Sequence, residues 1–456
     1  MPEFSQMQGV RPQVRESLNK AFEKSVEKPN KSFSACLGNG FRQTVASIFS
    51  KEKMNSKMML SGHTLETKAR AVASESKYLI AAQDTCFYNY NGHKQISGLG
   101  NISTKAKNAA KGVIQHNMLI MSAEGLHLGL IHQDYWTRDG EKDIASDEKE
   151  SQKWFKGLSA LNETLGEIDK KIVCVQDREA DIFTFFKAER KANIELLVRV
   201  CQPRNMQILS NEKEGNLEGT AQAIKVMGEM KTIIREKNKE VELRLELRAD
   251  RVDIYPYRDK SKQNKTVGLS LVVAKEVGRI ETKTGKDVYN ESTACYWYLL
   301  TSLPIDNEED VKNIVKFYSL RWGIERLHYT LKSGALNVEK MQFDDIHTLI
   351  NALAFYSIVA WQLIGITYLI RENPAAEATE IFKKEEVELL NKLSKTEIKS
   401  IKEAVLFLCK LTCGFAPSKQ QPYPGVKTLA MAIQDFYYIK LGAGISSEFF
   451  ISETPT

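Results

Sequence analysis

The chain lacks the cysteine spacings that mark metal fingers and disulfide scaffolds. Its seven cysteines, Cys36, Cys86, Cys174, Cys201, Cys295, Cys409 and Cys413, contain no Cys-x2-Cys pair, which leaves neither a zinc site nor a disulfide framework supported. Cys409 and Cys413 lie one helical turn apart and read as core residues. None of the seven histidines shows a ligand spacing; His116 and His132 fall in strand-like runs and read as satisfied core residues. No basic-then-apolar leader opens the sequence at Met1-Pro2-Glu3-Phe4-Ser5-Gln6. Only Leu349 to Ile370 resembles a membrane span. Asn351, Ser357, Gln362 and Thr367 interrupt it and no second span accompanies it, so it reads as a buried core helix. A cytoplasmic protein with no membrane association is expected.

A strong net charge is also missing. With 64 basic against 58 acidic residues, a net charge of +6 and a pI near 8.7, positive potential must be local. The opening stretch concentrates it in Arg11, Arg15, Lys20, Lys24, Lys28, Lys31, Arg42, Lys51, Lys53 and Lys57. A second basic stretch, Arg258, Lys260, Lys262 and Lys265, reads as an exposed turn between strands. Both stretches have an ordinary solubilising surface as their alternative reading. At 456 residues and 42% hydrophobic, the chain is long enough for two or three domains with sizeable cores.

Residues 1–65 read as short helices, Pro12 to Lys28 and Gly40 to Lys51, divided by Lys28-Pro29-Asn30-Lys31 and the Gly38-Asn39-Gly40 turn. From Lys77 the pattern becomes α/β, with strands near 78–83, 112–120, 127–133, 171–176 and 195–201 and a helix near 146–164. A β-rich stretch follows at about 203–305. There Val241, Leu243, Leu245 and Leu247 alternate with Glu242, Arg244, Glu246 and Arg248, as a half-buried strand requires, and Leu269 to Val273 and Tyr296 to Leu300 continue the pattern. Beyond the apolar helix, Glu385 to Leu411 reads as helical, Pro417 to Pro424 as a loop, and Leu429 to Leu441 as a helix. The last carries Phe436, Tyr437 and Tyr438, either a core stripe or a protein–protein face.

Chemistry is suggested by three acids and an array. Tyr318, Arg321, Glu325 and Lys332 form a Tyr-x2-Arg-x3-Glu-x6-Lys pattern whose members share one face of an uninterrupted helix. A carboxylate among cations suits a metal beside a phosphate backbone; a solvated charged face is the plainer reading. Asp84 follows the run Tyr78-Leu79-Ile80-Ala81-Ala82, and Asp177 follows Ile172-Val173-Cys174-Val175. Each acid is read where a strand runs out, the place where α/β folds put their sites, although a cap or turn residue would look alike. Two strand aspartates and a helix glutamate can together hold two hard divalent cations.

These motifs, in this order, resemble the bacterial, Tn-five-like DDE transposases of the insertion-sequence IS-four group. The resemblance rests on Tyr318/Arg321/Glu325/Lys332, the string Asp177-Arg-Glu-Ala-Asp181, and Gln83-Asp84-Thr85. It rests also on Gly129-Leu-Ile-His-Gln133 with Trp136 and Arg138, on Glu148-Lys-Glu-Ser151 with Trp154, and on Trp297 ahead of Leu300-Thr-Ser302. It covers about Ser61 to Leu363, with a further match around Cys413 to Tyr438. The resemblance implies an α/β fold: an RNase H-like catalytic core at 66–365 with an inserted antiparallel β subdomain at about 203–305. A small helical domain at 1–65, which docks transposon ends in the family and is short here, precedes that core. A helical dimerisation region at 366–456 follows it.

The implied activity is cut-and-paste transposition, with a nick, a DNA hairpin, its reopening and strand transfer. Asp84, Asp177 and Glu325 would hold two Mg²⁺ ions, with Mn²⁺ able to substitute. Trp297 would receive an extruded base and Trp322 form a second wall. Arg178, Arg199, Tyr318 and Arg321 would grip phosphates and Lys332 the transferred strand. The implied partners are double-stranded DNA, both inverted-repeat ends and target, and a second copy of the chain on the bacterial nucleoid. Two rival readings use the same residues: an RNase H-fold nuclease that does not transfer strands, and a catalytically impaired DNA-binding or inhibitory derivative. A sheet-core tryptophan is the rival reading of Trp297.

Overall fold

In the computed structural model, residues 3–93, 95–103, 110–138, 150–236, 239–256, 266–419 and 421–451 are described. The basic stretch Arg258, Lys260, Lys262 and Lys265 lies outside them, as do Glu148 and Lys149. The chain begins with four helices, α1 (Pro12–Glu27), α2 (Phe33–Leu37), α3 (Asn39–Phe49) and α4 (Ser56–Ala73). Strands β1 (Tyr78–Asn89), β2 (Gly100–Asn101), β3 (Lys111–Ser122) and β4 (His127–Trp136) follow. Next come α5 (Gln152–Leu165), β5 (Lys171–Gln176), α6 (Phe183–Phe186) and β6 (Ile194–Arg199). The β-rich stretch holds β7 (Asn205–Ile208), β8 (Glu214–Asn216), α7 (Leu217–Ala223), β9 (Val226–Glu236), β10 (Lys239–Ile254), β11 (Val267–Glu281) and β12 (Tyr296–Thr301). Six helices complete the chain: α8 (Glu308–Leu320), α9 (Trp322–Tyr329), α10 (Ile346–Glu372), α11 (Lys384–Ser394), α12 (Ile401–Cys413) and α13 (Val426–Ile451).

Large mixed sheet and flanking helices give an α/β architecture compatible with an RNase H-like fold. Two compact units divide the chain, one made of Ser74–Asp84 and Asp143–Trp322, the other of Met1–Ala73, Thr85–Lys142 and Gly323–Thr456. In the first unit, β1 pairs in parallel with β5 and β5 with β6. Antiparallel pairs then run from β6 to β12, β11 and β10, with β7 and β9 both on β10 and β8 on β7. The alternation read in β10 is real in space, for Val241, Leu243, Leu245 and Leu247 are all buried.

The second unit is built around α10. This helix is apolar on all sides, so it must be covered all round or lie in lipid. Here 83% of its most apolar window is buried inside the protein, and Asp345 caps its start through Thr348 N. Phe4 stacks on Phe355 at 5.5 Å, and Asn351 donates to the carbonyls of Phe49 and Met54. The helices of the basic opening stretch therefore pack into a core rather than standing apart. Farther along, the stretch Glu385 to Leu411, read as helical, holds parts of two helices, α11 and α12. Lys395 adopts a left-handed conformation at φ 56° and ends α11; Ser400 and Glu403 form the capping box that starts α12. Cys409 is fully buried in the cluster with Leu429 and Phe436, and Cys413 packs beside it. Tyr438, by contrast, is half exposed, under Lys31.

One buried ionic cluster ties residue 3 to this unit. Leu130 N donates to His63 Nε2 at 2.9 Å, so that nitrogen is unprotonated; Nδ1 carries the ring proton and donates to Glu3 at 2.5 Å. Arg70 reaches both Glu3 oxygens at 2.9 and 3.2 Å. Burial pushes the Glu3 carboxyl up, but the His63 and Arg70 contacts outweigh it and hold the group at about 2. For His63, burial is the larger influence, and it keeps the imidazole neutral. Because the folded Glu3 titrates below its ordinary 4.5, its stabilisation is complete above that pH and is lost as pH falls towards 2. Glu3→Gln should cost up to about 3 kcal/mol at neutral pH and flatten this segment of the curve, as read by urea unfolding at a series of pH values.

Candidate active site at the ends of two parallel strands

Register decides which acids meet. Strand β1 pairs with β5 from Tyr78↔Lys171 to Ala82↔Val175. Asp84 and Asp177 each lie two residues beyond that last pair, Asp84 within β1 and Asp177 just past the end of β5. One detail differs from the expectation. Asp84 does not end its strand: β1 continues to Asn89, because its far half has another neighbour. Tyr90 N donates to Lys111 O, and Gly112 of β3 lies directly against Tyr88 O.

Asp177 follows β5 and caps a 3-10 turn, Arg178–Ala180, accepting from Glu179 N at 2.9 Å. That bond fixes the direction of its carboxylate. Asp84 is approached by Arg321 Nη1 at 3.4 Å, with side chains 19% and 14% exposed respectively. Beneath the two acids, the side-chain amides of Gln83 and Gln176 both donate to Cys174 Sγ. Helix α5 closes over them at Gly157, where any Cβ would fall 2.0 Å from the Gln83 amide oxygen. Lys153 of α5 bonds Glu179 at 2.7 Å, holding the turn that Asp177 caps.

The loop behind Asp177 depends on a residue whose part the sequence did not disclose. Asp181, the last acid of the Asp-Arg-Glu-Ala-Asp string, accepts from the backbone N–H groups of Cys201 and Gln202 at 2.8 and 2.7 Å and pairs with Arg204. Burial pushes Asp181 up and Arg204 down, so each depends on the other to stay charged. Both side chains are essentially inaccessible. The pair clamps the end of β5 to the end of β6, and only the buried partner Arg204 would have revealed it in advance.

On the neighbouring strands, Trp297 of β12 is half-buried and meets Tyr318 of α8 edge-on at 4.9 Å. On the same strand Leu299 and Leu300 are fully buried, whereas Trp297 keeps partial exposure. Burial pushes the Tyr318 phenol up, against the pull of Arg321 and Arg199, and leaves it a neutral hydrogen-bonding group. Arg199 ends β6, opposite Leu299. Trp322 is 58% exposed, and Arg178 is exposed as well.

The Tyr-Arg-Glu-Lys array does not lie on one unbroken helix. Helix α8 ends at Leu320, Arg321 forms the junction, α9 carries Glu325 in its first turn, and Lys332 sits in a π-helical turn, Thr330–Gly334. A π turn alters the angular spacing, so the face drawn for a regular helix does not extend to Lys332. Tyr318 and Arg321 belong to the unit of the two aspartates, Glu325 and Lys332 to the other. Within that other unit, Lys332 Nζ donates to Phe87 O at 2.9 Å and lies 3.4 Å from Glu339. Gly323 seats α9, since a Cβ there would fall 2.6 Å from Met121 Sδ and 3.0 Å from His127 Nε2. Half-buried Glu325 follows two residues later. His116 bonds Thr85 at 3.0 Å, as a satisfied core histidine should.

Among the described residues, no three His, Cys, Asp or Glu side chains converge closely enough to hold an ion. Asp84 and Asp177 belong to one unit and Glu325 to the other. Asp84 and Asp177 are both half-buried carboxylates, oxygen ligands of the chemical type that Mg²⁺ prefers.

Residues 156–360 match the family described as transposase DDE domain. The matched stretch contains Asp177, Arg178, Arg199, Trp297, Tyr318, Arg321, Trp322, Glu325 and Lys332, and leaves Asp84 outside. The match supports a DDE transposase. Among solved structures, the C-terminal lobe of a budding yeast Argonaute aligns at 7% identity with a TM-score of 0.18, covering 87% of this chain and 61% of that one. A likeness that low carries no argument about fold or activity.

The clamp behind Asp177 is open to direct test. Removing one partner of a buried pair leaves the other charge uncompensated, so Asp181→Ala should cost ~3–5 kcal/mol. The apolar double replacement Asp181→Leu/Arg204→Met should recover most of that loss in chemical unfolding.

Proposed function

We propose that the protein is a DDE transposase that cuts and joins DNA by phosphoryl transfer at Asp84, Asp177 and Glu325. The observation that carries this reading is the equivalent register of Asp84 and Asp177 on parallel neighbours. The family match around Asp177 and Glu325 supports it. Mg²⁺ bound there would activate an oxygen nucleophile and offset charge on the leaving oxygen. The remaining work falls to the chain itself. The Glu179 N–H fixes the direction of Asp177, and Arg321 places positive charge beside Asp84 where a phosphate would approach. Arg199 and Tyr318 offer donors to the flanking phosphates.

In this reading the substrates are inverted-repeat ends and target DNA, handled by a dimer, and the cleaved end passes through a hairpin. A base extruded at the bend costs a few kcal/mol to unstack, and half-buried Trp297, braced by Tyr318, can return part of that. The expectation for each acid is loss of metal-dependent nicking with DNA affinity largely retained in Asp84→Ala, Asp177→Ala and Glu325→Ala. Nicking at the wild-type rate by any one of them removes that residue from the site.

A nuclease without strand transfer would use the same acids but has no need of a base pocket. Trp297→Ala should leave the first nick nearly intact and slow hairpin formation by roughly 5- to 150-fold, the loss of one stacking platform worth ~1–3 kcal/mol. Resolved nick and hairpin products on a denaturing gel, read beside the melting temperature, decide it. Equal loss of both products with a large fall in melting temperature would speak for a structural tryptophan and leave the nuclease reading standing.

A further inference from the structure

Strand β12 carries aromatic side chains on both faces. Alternation sends Trp297 towards Tyr318 of α8 and sends its neighbours Tyr296 and Tyr298 to the opposite face. There the two tyrosine rings lie 4.8 Å apart at 44°, and they form the wall shared by two adjoining cavities of about 350 and 440 Å³. Arg178 and Arg199 line the first cavity; Arg248 and Lys275 line the second; Glu218 is the acid common to both. Arg178 follows Asp177 directly and Arg199 ends β6, parallel to β5, so the first cavity opens beside the end of β5 that leads into Asp177.

We propose that this trough, from Arg178 and Arg199 across Tyr296 and Tyr298 to Lys275 and Arg248, binds single-stranded DNA leading away from the two aspartates. The proposal rests on the DNA-cutting reading above and adds a second nucleic-acid surface to it. Paired cations on either side of an aromatic step suit a strand whose phosphates are held at both ends and whose bases stack between them. Duplex DNA does not fit. Cavities of this size take a drug-sized group, which is one or two nucleotides, and a tyrosine face can stack only on a base whose own neighbour has been removed. The pleat turns Tyr296 and Tyr298 away from Trp297, while Arg199, which lines the trough and also acts on Tyr318, is where the two surfaces adjoin.

Cys201 supplies a built-in reporter. It is exposed and lines the first cavity, whereas Cys36, Cys86, Cys174 and Cys409 are buried. The full-length protein is titrated with a fluorescein-labelled oligothymidylate of about 12 nucleotides, within the usual range of single-strand site sizes, and with a blunt duplex of the same length. Alkylation of Cys201 by N-ethylmaleimide is followed by mass spectrometry, with Cys413 as the internal reference. The oligothymidylate should protect Cys201 and the duplex should not. Tyr296→Ala/Tyr298→Ala should weaken oligothymidylate binding at least 5-fold, and as much as about 150-fold for each base unstacked, while Tyr296→Phe/Tyr298→Phe should bind as wild type. Should the alanine double variant melt early, Lys275→Gln provides the second reading, lowering the slope of log affinity against log salt by about 0.7.

Wild-type affinity and slope in the folded variants would overturn the proposal, as would equal protection of Cys201 by duplex. Metal-dependent nicking is scored separately. Tyrosine-dependent binding without nicking would sink the transposase reading and leave the trough, whereas nicking with no tyrosine dependence of binding would do the reverse.

Discussion

The parallel pairing of β1 with β5 is the constraint on which the proposed chemistry depends. Asp84 and Asp177, far apart in sequence, each follow the same strand pair by two residues because Ala82 lies opposite Val175. A slip of one residue would turn one aspartate to the other face of the sheet, since side chains alternate with a period of two. Fully buried Leu79, Ile80, Ala81, Ile172, Val173, Cys174 and Val175 specify that register on both faces. A strand buried on both sides gains little freedom to slide, so the apolar run before each acid sets the geometry of the acids themselves.

Much of this was legible because the signals were local. The run from Ile172 to Val175 marks β5 within a residue or two, the alternation in β10 gives its buried face, and the uncharged stretch from Leu349 gives α10. What escaped was set by partners distant in sequence. The extension of β1 past Asp84 requires β3; the part played by Asp181 requires Arg204; the break at Lys395 requires a non-glycine residue to accept φ 56°. A left-handed lysine costs on the order of 1 kcal/mol, an amount no pattern of apolar residues announces. The aromatic run at β12 was legible only in part. Its central tryptophan drew notice through the resemblance, whereas the tyrosines on either side gain meaning only when the pleat separates them.

The array from Tyr318 to Lys332 has a geometry that its spacing does not announce. Even spacing invites a single helical face, yet the chain passes through a junction at Arg321 and a π turn at Thr330–Gly334. π turns cluster at functional sites because they redirect one side chain without ending the helix. Here the redirected residue is Lys332, tied to the Phe87 carbonyl of β1 just beyond Asp84 in sequence.

Arg321 beside Asp84 raises the question of whether the pair would bar a cation. At 3.4 Å the contact is long for a charge-assisted bond, which prefers about 2.7–2.9 Å, and both side chains retain access to water. The Asp181–Arg204 pair, inaccessible and bonded to two backbone N–H groups, is of another order: breaking it costs several kcal/mol. That pair holds the loop behind Asp177, and the Arg321 contact sets a guanidinium beside Asp84, the acid that the proposal assigns to a cation.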